Sequence, residues 1–146
     1  MSRNRISLGK RGEDVAVAYL QDKGYRIELR NYRQKTGEID IICRDLDTCV
    51  FVEVKARQHC GYGHPTEAVT RRKQLQISRT ALHYLTSQKL LDSPTRFDVI
   101  GVIFTEAGTE ISHIIGAFEA ECREAGQSLS ALEMMLRIGE CGPRPV

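Results

Sequence analysis

Two apolar runs joined by a short polar turn set the frame for this chain. Gly37-Glu38-Ile39-Asp40-Ile41-Ile42 leads to a turn near Asp45–Asp47, and Phe51-Val52-Glu53-Val54-Lys55 follows. A β-strand sends residues i and i+2 to one face. Glu38 and Asp40 therefore share a face, as do Glu53 and Lys55, while Val52, Val54 and Ala56 form the core-seeking face of the second run. If the runs pair across the turn, the acids and the lysine converge. The plainer alternative is a surface ladder with cross-strand charge pairs. Against it, Ile39, Ile41, Ile42, Phe51, Val52 and Val54 make the flanks apolar enough for central strands. Acids on central strands are partly buried and need a compensating cation. Asp40 and Glu53 suit magnesium, which is held by one or two carboxylates plus waters and substrate phosphate. Lys55 can stabilise charge on a phosphate or orient an attacking water.

The rest of the chain supplies layers for such strands. Residues 1–8 read as a basic, loosely ordered arm. Val15, Ala16, Tyr19 and Leu20 recur at helical spacing, which predicts a helix over about Lys10–Lys23, stopped by Gly24. Tyr25–Arg33 alternates as a strand, and strands follow at about 38–44 and 48–57. After a Gly- and His-containing loop at 58–65, Thr66 can cap a helix running to about Leu90, with Glu67 at its positive end. Leu75, Ala81, Leu82 and Leu85 form its main stripe, Ile77 and Tyr84 widen it, and Ser78 inside it can back-bond to the preceding turn. Arg96–Phe104 and Glu110–Phe118 are two more strands. Helix, three strands, helix, two strands is an α/β order, with a mixed sheet between helices. Residues 1–118 make one domain. Residues 119–146 are set apart as a C-terminal segment, with a short amphipathic helix over Ser130–Ile138 and a fraying tail from Gly139.

Composition narrows the class. With 146 residues, 41% hydrophobic and 27% charged, the chain suits one globular core. No apolar run approaches the roughly 20 residues of a membrane span, and no apolar signal core follows Met1–Arg5, so a cytoplasmic protein is expected. Five cysteines without a Cys-x-x-Cys pair argue against a disulfide framework or a zinc site, and Cys60 near His59 and His64 lacks a fourth ligand. Cys43 and Cys49 read as small hydrophobes. His59, His64, His83 and His113 show no metal or triad spacing and read as surface or filler residues.

Net charge is only +2, yet residues 1–35 hold nine Lys/Arg against four acids and residues 55–89 hold seven against one. A basic face of this kind suits a polyanion. Its candidate nucleic-acid contacts are Lys10, Arg11, Arg57, Arg72, Lys73 and Gln74. On the first helix Glu13 follows the stripe of Ala16 and Leu20, where an acid calls for a cation or metal; its alternative role is to favour the helix N-terminus. Gly12 beside it permits close backbone approach. On the second helix Arg71 and Gln74 fall on the apolar stripe and Lys73 just off it, with Arg71 read as snorkelling to solvent. Asp98, between Phe97 and Val99, is read as a supporting or capping acid, not a ligand.

Taken in order, Gly12-Glu13, Gly24-Tyr25, Asn31-Tyr32-Arg33, Gly37-Glu38-Ile39-Asp40, Phe51-Val52-Glu53-Val54-Lys55-x-Arg57 and Arg96-Phe97-Asp98-Val99 resemble the YraN-like family of small bacterial proteins. That family is similar in pattern to the PD-(D/E)XK nucleases and to archaeal Holliday-junction resolvases. The resemblance covers about residues 8–118 and implies a restriction-endonuclease-like fold with metal-dependent phosphodiester hydrolysis. It assigns Glu13 to the helix acid, Asp40 to the motif aspartate, and Glu53 and Lys55 to the E-x-K pair. Glu13, Asp40 and Glu53 would then be the ligands of Mg2+ or Mn2+, with Lys55 beside them. Lys73-Gln74 matches a helix pair of the family, Gln74 being the one expected to face the site. Ile39 stands where the name motif has proline. DNA, branched or structured, is the implied partner, with a homodimer as the implied assembly. A non-catalytic nucleic-acid-binding module on a nuclease fold is the alternative.

Overall fold

A computed structural model describes residues 2–58 and 69–120, with side chains from residue 7 onward. It has α1 (Ser2–Asp22), β1 (Arg26–Gln34), β2 (Gly37–Asp45), β3 (Thr48–Gln58), α2 (Arg71–Ser87), β4 (Thr95–Thr105) and β5 (Gly108–Phe118). The strands form one sheet in the order β1-β2-β3-β4-β5. Only β3 and β4 run parallel, joined by the crossover that carries α2. The architecture is α/β, a five-stranded mixed sheet flanked by two helices, consistent with a restriction-endonuclease-like fold. Among the described residues no helix is long and apolar enough to cross a membrane.

Each face of the sheet has its own core. Under α1, Ala16 and Leu20 pack on Ile41, Cys43, Val50, Val52, Ile100 and Val102. Under α2, Ile77, Ala81, Tyr84 and Leu85 pack on Ile39, Ile42, Cys49, Phe51 and Phe97. Fully burying a side chain such as Leu20 or Phe51 contributes about 1.5–3 kcal/mol. Cys43 and Cys49 are buried fillers, and burial pushes their thiols up to about 12 and about 11.

The helix ends differ from the sequence expectation. The arm at 2–8, expected to be loosely ordered, is part of α1; its residues carry no sustained apolar period that would have announced the helix. On α2, Thr70 is the N-cap, its hydroxyl accepting from Lys73 N at 3.1 Å. Thr66 and Glu67 lie outside the described residues, as do His59, Cys60, His64 and the segment 121–146. The helix ends at Ser87 rather than Leu90. Ile77 and Tyr84 are its buried centre, whereas Leu75 and Leu82 are only half-buried. Ser78 makes no back-bond; Thr80 does instead, donating to Gln76 O at 2.8 Å.

Gly12 is where α1 comes closest to the sheet. A Cβ built there runs into the Cβ of Ala56 on β3. In an open helix, Gly→Ala gains about 1 kcal/mol of propensity. Here the overlap outweighs that gain, since overpacking costs about 1–3 kcal/mol. Gly12→Ala is therefore expected to lower the denaturant midpoint, and Ala56→Gly in the same chain to restore part of the loss. A midpoint raised by Gly12→Ala alone would contradict the packing.

Candidate functional site

The sheet forks where the acids are. The paired register of β2 and β3 runs from Asp45↔Thr48 to Ile41↔Val52 and stops there. Beyond that point β2 stays with β1 through Gln34↔Gly37, and β3 stays with β4 through Gln58↔Phe104. Asp40 and Glu53 are the first residues past the last shared rung. The backbone group freed by the split finds a side chain: Val54 N donates to Asp40 Oδ2 at 2.8 Å. The strand also turns over here. Ile39 packs under α2 and Ile41 under α1, although two residues apart on a regular strand share a face.

Three of the four acid and lysine candidates gather at this fork, and the fourth faces it from the helix. Glu53 and Asp40 hydrogen-bond through their carboxyls. Burial raises both above the ordinary carboxylate range; Asp40 adds to the rise at Glu53, while the bond from Val54 partly offsets it at Asp40. Two desolvated carboxylates in contact cannot both ionise cheaply, which is why both are raised. Lys55, half-buried, is held below its ordinary value by desolvation, against the pull of Glu53. Glu13 is raised by desolvation first and by Asp40 second, so its carboxyl feels the fork across the cleft.

That cleft, of about 560 Å³, is lined by Lys10 and Glu13 of α1, Arg30, Asn31 and Arg33 of β1, and Glu38 and Asp40 of β2. Glu38 shares it with Asp40, and Arg33 Nε stands 3.3 Å from Glu38 Oε1. Lys73 of α2 enters from the other side, its Nζ 3.6 Å from Glu53 Oε1. The remaining basic candidates are not brought together. Arg11 lies over the Phe104 ring at 4.3 Å, Arg57 and Arg72 are exposed, and Gln74 donates its amide to Val69 O at 2.9 Å.

Asp40 and Glu53 offer only oxygen donors, and a cation between them would offset their mutual repulsion, which suits a hard divalent ion such as Mg2+. Among the described residues no group of three or more His, Cys, Asp or Glu stands close enough to hold one ion. The fit is therefore to two carboxylates, with water and phosphate completing the shell.

A second polar cluster lies under α1. Asp98, fully buried, accepts from Arg96 Nε and Nη2 at 2.9 and 3.0 Å, and from Gly116 N at 3.0 Å. His113 Nε2 stands 2.8 Å from Asp98 Oδ2, the oxygen that also accepts from Arg96 Nη2, and His113 Nδ1 lies 3.2 Å from the Tyr19 hydroxyl. Arg96 also reaches Asp45 Oδ2 at 3.0 Å and the Tyr25 hydroxyl at 2.8 Å. His113 is thus a buried member of a network, not a surface filler. Its partners come from sequence positions far apart, so spacing held no sign of it. Asn31, Arg30 and Arg33 were also missed as cleft residues; the one local signal was asparagine within a strand, a residue prone to left-handed backbone.

Comparison with known proteins agrees with the sequence pattern. The model of a family described as "Uncharacterised protein family UPF0102" matches residues 12–102. A UPF0102 protein of Geobacter metallireducens is 50% identical over 119 residues, covering 82% of this chain and 98% of the relative. One from Geobacter sulfurreducens is 53% identical over 117 residues, covering 80% and 91%. One from Syntrophotalea carbinolica is 43% identical over 121 residues, covering 83% and 98%.

Proposed function

The chain belongs to the uncharacterised family UPF0102, and on that premise we propose that it is a Mg2+- or Mn2+-dependent endonuclease hydrolysing phosphodiester bonds in DNA, branched or structured DNA included. The observation that carries this reading is the half-buried carboxyl pair Asp40 and Glu53, side by side where β2 splits from β3. Such a pair costs stability unless it holds a cation, and strands that part leave room for a phosphate to approach. Asp40 and Glu53 would hold the ion, with Glu13 adding negative charge from α1. A bound divalent cation supplies Lewis-acid charge at the scissile phosphate. Lys55, on the face of Glu53, stabilises charge developing on the phosphate. Lys10, beside Glu13 in the cleft, neutralises the incoming backbone, and the reading places the protein in the cytoplasm, with its substrate.

One observation favours the second reading, a module that binds nucleic acid without cutting. Lys73 already pairs with Glu53, and no three-acid cluster forms among the described residues. The experiment is cleavage of linear, nicked and four-way-junction DNA with Mg2+ or Mn2+, by the full chain and by Asp40→Asn and Glu53→Gln variants. Metal-dependent cleavage that both substitutions abolish is expected. Salt-sensitive binding without cleavage, indifferent to metal and to Asp40, would select the binding module; cleavage that survives both substitutions would remove the site altogether.

A further inference from the structure

Asn31 has a backbone and a side chain that each bear on the fork. Its φ is +54°, in the left-handed region that asparagine tolerates better than most residues. It lies between the rungs Arg30↔Ile41 and Tyr32↔Ile39, so it is beside Asp40 on the neighbouring strand. On either side of it the chain changes face: Arg30 lines the cleft under α1, while Tyr32 packs with the core under α2. Strained backbone of this kind persists where the surroundings enforce it, and it clusters at functional sites.

The side chain then joins two acids of the cleft. With its amide nitrogen turned into the cleft, Asn31 donates to Glu13 Oε1 at 2.8 Å and to Glu38 Oε1 at 3.1 Å. The opposite amide orientation would set its oxygen against two carboxylates, so the hydrogen-bond pattern fixes the assignment. Glu38 is anchored in turn by Arg33. A chain therefore runs from Arg33 through Glu38 and Asn31 to Glu13, and ends on the carboxylate that faces Asp40.

We infer that Asn31 is a positioning residue: it bridges Glu13 to Glu38 and holds the Glu13 carboxylate oriented toward the Asp40–Glu53 fork, where a divalent cation binds. The inference rests on the metal-site reading above. A neutral double donor is suited to the task because it joins two acids without itself neutralising either. Partners that orient the acids of a metal site typically contribute 10–100-fold in affinity.

The test is Mn2+ binding by calorimetry on the full chain, at fixed pH, in wild type, Asp40→Asn, Asn31→Gly, Glu13→Gln and the Asn31→Gly/Glu13→Gln double variant. Glycine keeps the left-handed backbone and removes the amide with its two hydrogen bonds, so the variant should still melt in a single cooperative transition, at a modestly lower temperature. Wild type should bind, and Asp40→Asn should not. Asn31→Gly should bind roughly 10-fold more weakly or worse. The double variant should bind no worse than Glu13→Gln alone, because Asn31 acts through Glu13. Unchanged affinity in Asn31→Gly, or additive losses in the double variant, would overturn the inference while leaving the metal site standing. Wild type that fails to bind Mn2+ would overturn both, and is told apart by the lack of any difference from Asp40→Asn.

Discussion

Asp98→Ala should be the most damaging single substitution in the described fold, lowering the unfolding free energy by roughly 3–5 kcal/mol. A domain of this size has on the order of 5–15 kcal/mol in total, so the loss is a large share of its stability and should show as a much lower urea midpoint. The reason is the asymmetry of buried charge. Asp98 has no solvent exposure, and Arg96 keeps its guanidinium largely inside. Removing the carboxylate takes away both hydrogen bonds between Arg96 and Asp98, one partner of His113, and the acceptor of Gly116 N. That last loss matters for the sheet, because the β4–β5 register shifts between Phe97 and Val99 and this bond ties Gly116 of β5 to β4 there. Among the described residues Arg96 would keep Asp45 and Tyr25. Asp98→Asn should cost less, since an amide oxygen still accepts from Arg96 or Gly116.

Acid titration separates these cases. Burial pushes the Asp98 carboxyl up, but the bonds from His113, Arg96 and Gly116 outweigh it and hold it below its ordinary 3.8. A depressed folded value means that the stabilisation is present above the unfolded value and lost as pH falls through the folded one. Wild type should therefore lose stability below about pH 4, and Asp98→Asn should lose that acid limb. Urea midpoints between pH 2.5 and 6 read this directly. A wild-type midpoint flat across that range, or an Asp98→Ala protein as stable as its parent, would show the network to be dispensable.

The strands were legible because their side chains obey a simple period. Ile39, Asp40 and Ile41, then Val52, Glu53 and Val54, alternate, and the five strands fall within two residues of the expected bounds. The two helices were legible as far as apolar residues mark them. The first turns of α1 are polar and carry no such mark. On α2 the run Thr66–Thr70 offers two residues able to cap, and local propensity cannot choose between them. The acids of the site were legible as types in a pattern, but the fork was not. Alternation presumes a regular ladder, and here the ladder ends at Ile41↔Val52 while Ile39 crosses to the other face. What breaks it is a tertiary competition: β2 follows β1, β3 follows β4, and Asp40 takes over a backbone bond the sheet would otherwise make. His113 escaped for a related reason, since its meaning lies in Asp98 and Tyr19, which no local period connects to it.

Glu53→Gln is expected to stabilise the metal-free protein at pH 8 while removing its response to metal. Burial and the neighbouring Asp40 push the Glu53 carboxyl up to about 8 from 4.5. With a raised folded value, stability is fully present below the unfolded value and is lost as pH rises through the folded one. The window here runs from about 4.5 to about 8, opposite in sign to that of Asp98. The metal-free wild type should accordingly melt at progressively lower temperature from pH 5 to pH 8.5. Glutamine can still hydrogen-bond Asp40 and never has to ionise, so the slope should flatten. A gain of about 1–2 kcal/mol at pH 8 would raise the melting temperature by roughly 3–8 °C. Metal should compensate in wild type only: Mn2+ at a hundred times its dissociation constant stabilises by about 2.7 kcal/mol, and more strongly at pH 8 than at pH 6, because at the lower pH the ion must displace the proton on Glu53. Loss of the ligand should also remove several kcal/mol of transition-state stabilisation, on the order of a thousandfold in cleavage rate. Melting curves at pH 5, 6.5 and 8, with and without Mn2+, distinguish the causes. If Glu53→Gln is less stable than wild type at pH 8, the carboxylate pair is a structural ion-pair element held by Lys73, and the raised proton affinity on which a cation site depends is absent.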